Sequence, residues 1–244
     1  MISTDYIIQL YRRYREDLRA LRRQQRWFLL RKNNSLLRRL RRMKIRRYLV
    51  VPMLDDLEAE ITYMLIRERT PKIVIEMSPN TGWSTTWILS ALRDNGQKGQ
   101  LWSYDLHDAS VKLVPPKLSE NRWHFVLGDA KETLAKAPDF DHLFVDSDHS
   151  EDFAKWYVRE LFPRVRSGCI VSVHDVFHQA TPSEEGAVVL RWLEERGIPH
   201  WTVSPAVNPE LTRLLLDERR KLGSTFSNRI HVGTKESMLF FQMA

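Results

Sequence analysis

The 244-residue sequence predicts an α/β protein: a Rossmann-like, doubly wound, mostly parallel sheet of seven strands, with a basic helical extension in front. Three observations carry this expectation. From residue 53 onward, short apolar runs alternate with amphipathic stretches, as when crossover helices cover both faces of a sheet. Acidic residues close one apolar run after another. The net charge of +7 is also lopsided. Between Arg12 and Arg47, 14 Arg and 2 Lys face only Glu16 and Asp17, a local excess of +14 that leaves the remainder at −7. This shift in composition sets a boundary at Tyr48–Pro52, dividing an Arg-rich arm (1–50) from a main domain (51–244).

Composition excludes several classes. Apolar residues are 43% of the chain and aromatics 10%, too many for a disordered protein. No apolar run approaches the roughly 18–20 residues that span a bilayer. The single cysteine, Cys169, excludes an intrachain disulfide framework and a Cys-rich zinc site, and fits a reducing, cytoplasmic setting. The basic N-terminus has periodic apolar positions rather than the block of a signal peptide.

In the arm, Ile7, Tyr11, Tyr14, Leu18, Leu21, Gln25 and Phe28 recur at spacings of four and three, one stripe on an Arg-rich helix. A break is expected at Asn33-Asn34-Ser35, with basic character resuming from Arg38-Arg39 to Arg46-Arg47. Three partners fit such a stripe. It packs on the main domain or on a second copy of itself; it lies on an anionic membrane at the inner face, peripherally; or its arginines bind a nucleic-acid backbone.

Leu54, Leu57, Ile61 and Leu65 then mark an amphipathic helix that Pro71 ends. Strands are predicted at Lys72–Glu76, Gln100–Asp105, His124–Leu127, His142–Val145 and Cys169–Val173. Helices are predicted at about Gly82–Arg93, Ala130–Lys136, Asp152–Phe162 and Glu184–Arg196. Trp201–Val203 and Met238–Phe241 read as the last two strands, with a helix at Glu210–Leu222 between them. His178–Gly186 reads as a mobile loop over an acceptor pocket.

Ligands of such sheets bind beyond the carboxyl ends of the strands. Those ends carry Glu76 and the loop Ser78–Gly82, Asp105-Leu106-His107-Asp108, Gly128-Asp129-Ala130, Asp146-Ser147-Asp148-His149 and His174-Asp175. One such Asp is commonly a helix cap; acids at five successive ends point to a polar, partly cationic ligand.

The segments Glu76-Met77-Ser78-Pro79-Asn80-Thr81-Gly82-Trp83-Ser84-Thr85 and Phe144-Val145-Asp146-Ser147-Asp148-His149-Ser150 resemble class I S-adenosylmethionine-dependent methyltransferases. Within them, the likeness is to the O-methyltransferases of sugars and other small hydroxylated molecules. It covers about residues 72–178, and it departs where Ser78 and Asn80 stand in place of common glycines. By this resemblance the last strand is antiparallel and the cofactor is S-adenosylmethionine. Its contacts are then Glu76, Ser78, Gly82 and Ser84 toward the amino-acid part, Asp105 toward the ribose, and Asp129 with Ala130 toward the adenine.

Methyl transfer aligns a nucleophile with a sulfonium and removes the acceptor's proton. His149, three residues after Asp146, suits a general base, and Asp146, His174 and Asp175 are candidates for one divalent ion, Mg²⁺ or Mn²⁺. Two acids stand at positions 174 and 175 in related metal-dependent sugar enzymes, so His174 is a departure that favours Mn²⁺ or a metal-free site. The expected function is O-methylation of a small molecule or saccharide, lipid-linked if the arm docks on a membrane. An RNA methyltransferase docking through the arm and a catalytically silent interaction protein are the alternatives, and a homo-oligomer fits the stripe.

Overall fold

The computed structural model describes residues 2–32, 50–96, 99–223, 229–233 and 236–244. The basic run from Arg38 to Arg47 and the expected break at Asn33–Ser35 lie outside the described residues.

Two helices open the chain, α1 (Thr4–Arg13, capped by Ser3) and α2 (Arg15–Lys32), followed by α3 (Asp56–Arg69). The main domain continues as β1 (Ile73–Met77), α4 (Trp83–Asp94), β2 (Gln100–Asp105), α5 (Ala109–Leu113), α6 (Pro116–Ser119) and β3 (Trp123–Leu127). Next come α7 (Ala130–Thr133), β4 (His142–Val145), α8 (Glu151–Glu160), β5 (Ile170–His178) and β6 (Thr181–Pro182). The chain closes with α9 (Glu184–Glu195), β7 (His200–Thr202), α10 (Pro209–Arg220) and β8 (Glu236–Gln242).

The sheet runs β3-β2-β1-β4-β5-β8-β7, with the two-residue β6 pairing off β5 as an eighth strand. β1 to β5 are parallel, and β8 is antiparallel to both neighbours, as the resemblance implied. Side chains alternate between two cores. Val74, Leu101, Phe144 and Phe240 face the layer of α1 to α4 and α10, whereas Ile75, Leu143, Val171 and Phe241 face α8 and α9. A parallel order with β1 central brings the ends of β2, β1, β4 and β5 to one edge.

The arm packs on the main domain. Ile7, Leu10, Tyr11, Leu18 and Leu21 are each at most 1% exposed, in one core with Leu57, Ile61 and Leu215. The Tyr11 hydroxyl donates to Glu60 at 3.0 Å, and Arg22 pairs with Asp56 at 2.7 Å. From the far end of the chain, Arg219 reaches Asp56 at 2.9 Å and Glu60 at 3.0 Å. Outside this clamp, Arg12 pairs with Glu218, Arg13 with Glu68, and Arg15 and Arg19 donate to the carbonyls of Lys221 and Leu222.

The described stripe is covered by the main domain, one of the partners considered for it, and the arginines just named pair with the chain's own oxygens. Helix α3 is not half-exposed: Asp56, Glu58, Glu60 and Thr62 are buried as fully as Leu57 and Ile61, because the arm and α10 partner Asp56 and Glu60 while Met238 of β8 meets Glu58 and Thr62. The segment 178–186 is not a free loop. It forms the end of β5, β6 and the first turn of α9, with Ser183 capping that turn.

Candidate active site at the carboxyl edge of the sheet

The loop after β1 explains its unusual sequence. Ser78 (φ 57°), Asn80 (φ 50°) and Gly82 (φ 87°) all lie in the left-handed region that glycine enters most readily. Ser78 and Asn80 thus adopt the backbone of the glycines they replace. Gly82 has no substitute, since a Cβ there would stand 2.5 Å from the Val114 side chain. Gly82 also begins α4 without a side-chain cap, so the helix opens as an anion-binding N-terminus. From behind, the Val51 amide donates to Thr81 and the Thr86 hydroxyl to Gln25 of the arm.

Glu76 is enclosed. Its carboxylate accepts from the hydroxyls of Ser84, Thr85 and Ser103, and nothing of it is exposed. Burial raises its pKa to about 7 against the pull of those three hydroxyls. Glu76 and Ser84, two of the expected cofactor contacts, thus hydrogen-bond to one another, and Glu76 also links β1 to α4 and β2.

Asp105 is placed differently. It ends β2, and its two oxygens accept from the amides of Asn80 and His107 at 2.9 and 3.0 Å, which fixes the carboxylate while leaving lone pairs for a ligand. Burial raises its pKa above the ordinary carboxylate value. Beside it lie Leu106 and, in register across β3, Leu127, 65% and 60% exposed. Bare leucines flanking a fixed carboxylate suit a ligand with vicinal hydroxyls and a flat apolar ring, as in a nucleoside. Asp129 caps α7 by accepting from the Lys131 amide at 2.8 Å, and Ala130 follows as the first helical residue.

The ends of β4 and β5 build the second half of the site. Asp146, His149 and Asp175 each present one ligand atom within 4.8 Å of the other two. His149 Nε2 lies 3.2 Å from Asp175 and 4.0 Å from Asp146. Asp175 sits in a β-bulge of β5 at φ 57°, which turns its carboxylate toward the cluster.

The two histidines stand differently toward this cluster. His174 lies beneath the cluster, 4% exposed, with Nδ1 near Asp146 (3.2 Å) and Asp175 (2.8 Å) and Nε2 3.5 Å from Glu58. Burial opposes its charge, but these carboxylates outweigh burial and hold its pKa well above the ordinary value. Among the described residues, the ligand atoms that converge belong to Asp146, His149 and Asp175, and the grouping does not include His174. For His149 too, burial is overcome, by the Glu185 hydrogen bond and by Asp175, Glu185 and Asp146, which lift its pKa to about 9.

Sequence reasoning missed Glu58, Tyr157, Ser103 and Glu185. Glu58 had a local signal, since Asp55 and Glu58 form a capping box. Glu185 had none, because its partner His149 is 36 residues away.

The strand order and the strand-end acids are those of a Rossmann-like α/β domain with a ligand site at its carboxyl edge. Residues 79–176 match a family of methyltransferase domains, Methyltransf_24. A curated relative from Mycobacterium tuberculosis that carries an O-methyltransferase name is 30% identical over 110 residues, covering 42% of this chain and 47% of that protein. The chain thus spans about half the length of the curated relatives it matches. Among solved structures, a Podospora anserina methyltransferase bound to S-adenosylhomocysteine has a TM-score of 0.54 at 14% identity, over 79% of this chain and 80% of that one. An O-methyltransferase of tomaymycin synthesis from Streptomyces achromogenes, bound to S-adenosylmethionine, scores 0.53 at 17% identity, over 84% and 86%. These likenesses fix the fold. Beside that fold, the match over residues 79–176 is to a methyltransferase domain.

Proposed function

We propose that the protein transfers a methyl group from S-adenosylmethionine to a hydroxyl of a small molecule, a saccharide hydroxyl being the finer reading, with a divalent cation at Asp146, His149 and Asp175. The observation that carries the proposal is that cluster, two carboxylates and an imidazole within 4.8 Å on the same edge as Asp105. Oxygen donors with one imidazole suit Mg²⁺ or, better, Mn²⁺.

Asp105 holds the ribose hydroxyls, Leu106 and Leu127 cover the adenine, and the N-terminus of α4 takes the carboxylate of S-adenosylmethionine. Transfer forms an O–CH₃ bond as the S–CH₃ bond breaks, discharging the sulfonium, so the acceptor hydroxyl loses one proton. A bound cation lowers that hydroxyl's pKa. Asp146 and Asp175 orient the hydroxyl, and the proton leaves on the exposed side of the cluster, where His149 meets solvent. His149 as a free base is the metal-free alternative. The lipid-linked acceptor loses its support with the burial of the stripe.

Calorimetry and turnover test both halves. Asp105→Ala weakens S-adenosylmethionine binding by about 1–3 kcal/mol, the cost of leaving charged hydrogen-bond partners unmet; unchanged affinity removes the ribose assignment. Chelation abolishes methyl transfer to a panel of sugars and phenols, and Mn²⁺ restores it. Full turnover in EDTA overturns metal assistance and returns His149 to the role of base.

A further inference from the structure

We infer that Glu185 is a positioning residue: it fixes the proton of His149 on Nδ1 and so aims the lone pair of Nε2 at the space shared with Asp146 and Asp175. The consequence drawn here rests on the metal-assisted reading above, whereas the geometry does not.

Glu185 has no exposed surface, and both of its oxygens are occupied. Oε2 lies 2.8 Å from His149 Nδ1, and Oε1 accepts from the Tyr157 hydroxyl at 2.8 Å. A carboxylate paired in this way only accepts, so Nδ1 must carry the hydrogen. In the neutral ring, the second nitrogen is then the acceptor, and it points to Asp175 and Asp146. Carboxylate to imidazole to cation is the arrangement by which outer groups hold a ligating histidine in one tautomer and one orientation.

The surrounding backbone is built to put Glu185 there. The Ser183 amide donates to the Val176 carbonyl at 2.9 Å, and the Ser183 hydroxyl to the Asp175 carbonyl at 2.7 Å, stitching the start of α9 to the bulge of β5. Gly186 completes the approach, since a Cβ there would stand 1.9 Å from the Val176 carbonyl oxygen. One helical turn thereby fixes Asp175 through its backbone and His149 through Glu185. The first turn of a helix also favours a buried negative charge.

The test uses the full chain and Mn²⁺ alone as the probe, with thermal melts and S-adenosylhomocysteine binding as controls for folding. Glu185→Gln keeps an acceptor for Nδ1 and binds Mn²⁺ within about threefold of the parent. Glu185→Ala binds it about 10–100-fold more weakly, the usual loss for an outer-shell partner. Tyr157→Phe, which leaves the carboxylate on His149, stays close to the parent. Nitrogen-15 spectra of labelled histidine, recorded metal-free at alkaline pH, give a second readout that packing alone would not move. The His149 proton sits on Nδ1 in the parent and in Glu185→Gln, and on Nε2 in Glu185→Ala. Parental Mn²⁺ affinity and an unmoved proton in Glu185→Ala overturn the inference. If the parent itself binds no Mn²⁺, the metal reading falls, and the tautomer spectra alone judge Glu185.

Discussion

Two clusters of charge lie in this molecule, and they are built on opposite plans. Under the arm, Arg22 and Arg219 face Asp56 and Glu60, two cations for two anions, each at most 3% exposed. At the strand ends, Asp146, Asp175, Glu185 and Glu58 surround two imidazoles, and His149 opens that group to solvent. The first cluster is balanced and sealed. The second holds more negative charge than its own cations neutralise. Balanced charge out of reach of water holds elements together; unbalanced charge within reach of water is ready for a ligand.

The strongest way to break the comparison is to unbalance the sealed cluster. Arg22→Met leaves Asp56 and Glu60 buried with one guanidinium between them, and costs about 3–5 kcal/mol of stability in urea titrations. A chain starting at Val51 also exposes the core covered by Ile7, Tyr11 and Leu18, and is expected not to fold. A native melt from that fragment would show the arm to be a separate module.

The comparison sharpens with a third histidine. His142 is 1% exposed on β4 with no carboxylate on it, and burial alone lowers its pKa to about 4. The unfolded chain therefore takes up this proton first, so stability falls as pH falls from about 6.5 to about 4, by about 3 kcal/mol in full. His142→Leu should remove that share of acid sensitivity. Urea midpoints at pH 7 and pH 4 read the difference, and parallel shifts in parent and variant would assign the sensitivity to other groups.

The smallest effect concerns Asp129, which caps α7 and is also proposed to meet the adenine. Asp129→Ser keeps a cap and loses reach, so stability holds while S-adenosylmethionine affinity falls by about 1 kcal/mol. Asp129→Ala loses about 1 kcal/mol of stability as well. Parental affinity in the serine variant leaves Asp129 with the cap alone.

What was legible in the sequence follows from range. Strands β1 to β5 and their terminal acids announce themselves within a few residues, because burial on both faces imposes apolar runs and a turn must follow. The conformational demand on Ser78 and Asn80 was visible only through the resemblance. The partner of the arm was not readable, because Arg22 meets Asp56 and Arg219 across 34 and 197 residues of chain, and periodicity shows only that a face is covered. The same limit hid Glu185, and it made α3 look amphipathic when both of its faces are buried.

The clasp between the two ends has a consequence for synthesis. The arm leaves the ribosome early, yet its partners on and just after α10, Glu218 and the carbonyls of Lys221 and Leu222, follow about 200 residues later. At roughly 5–20 residues per second, its apolar stripe waits on the order of 10–40 s for its final neighbours. Arginines next to Tyr11, Tyr14, Leu18, Leu21 and Gln25 of the stripe act as gatekeepers, keeping neighbouring nascent chains from associating through it. Proteolysis of ribosome-stalled chains can follow this interval: the arm should be cut readily in chains that end before Pro209 and resist once α10 has emerged.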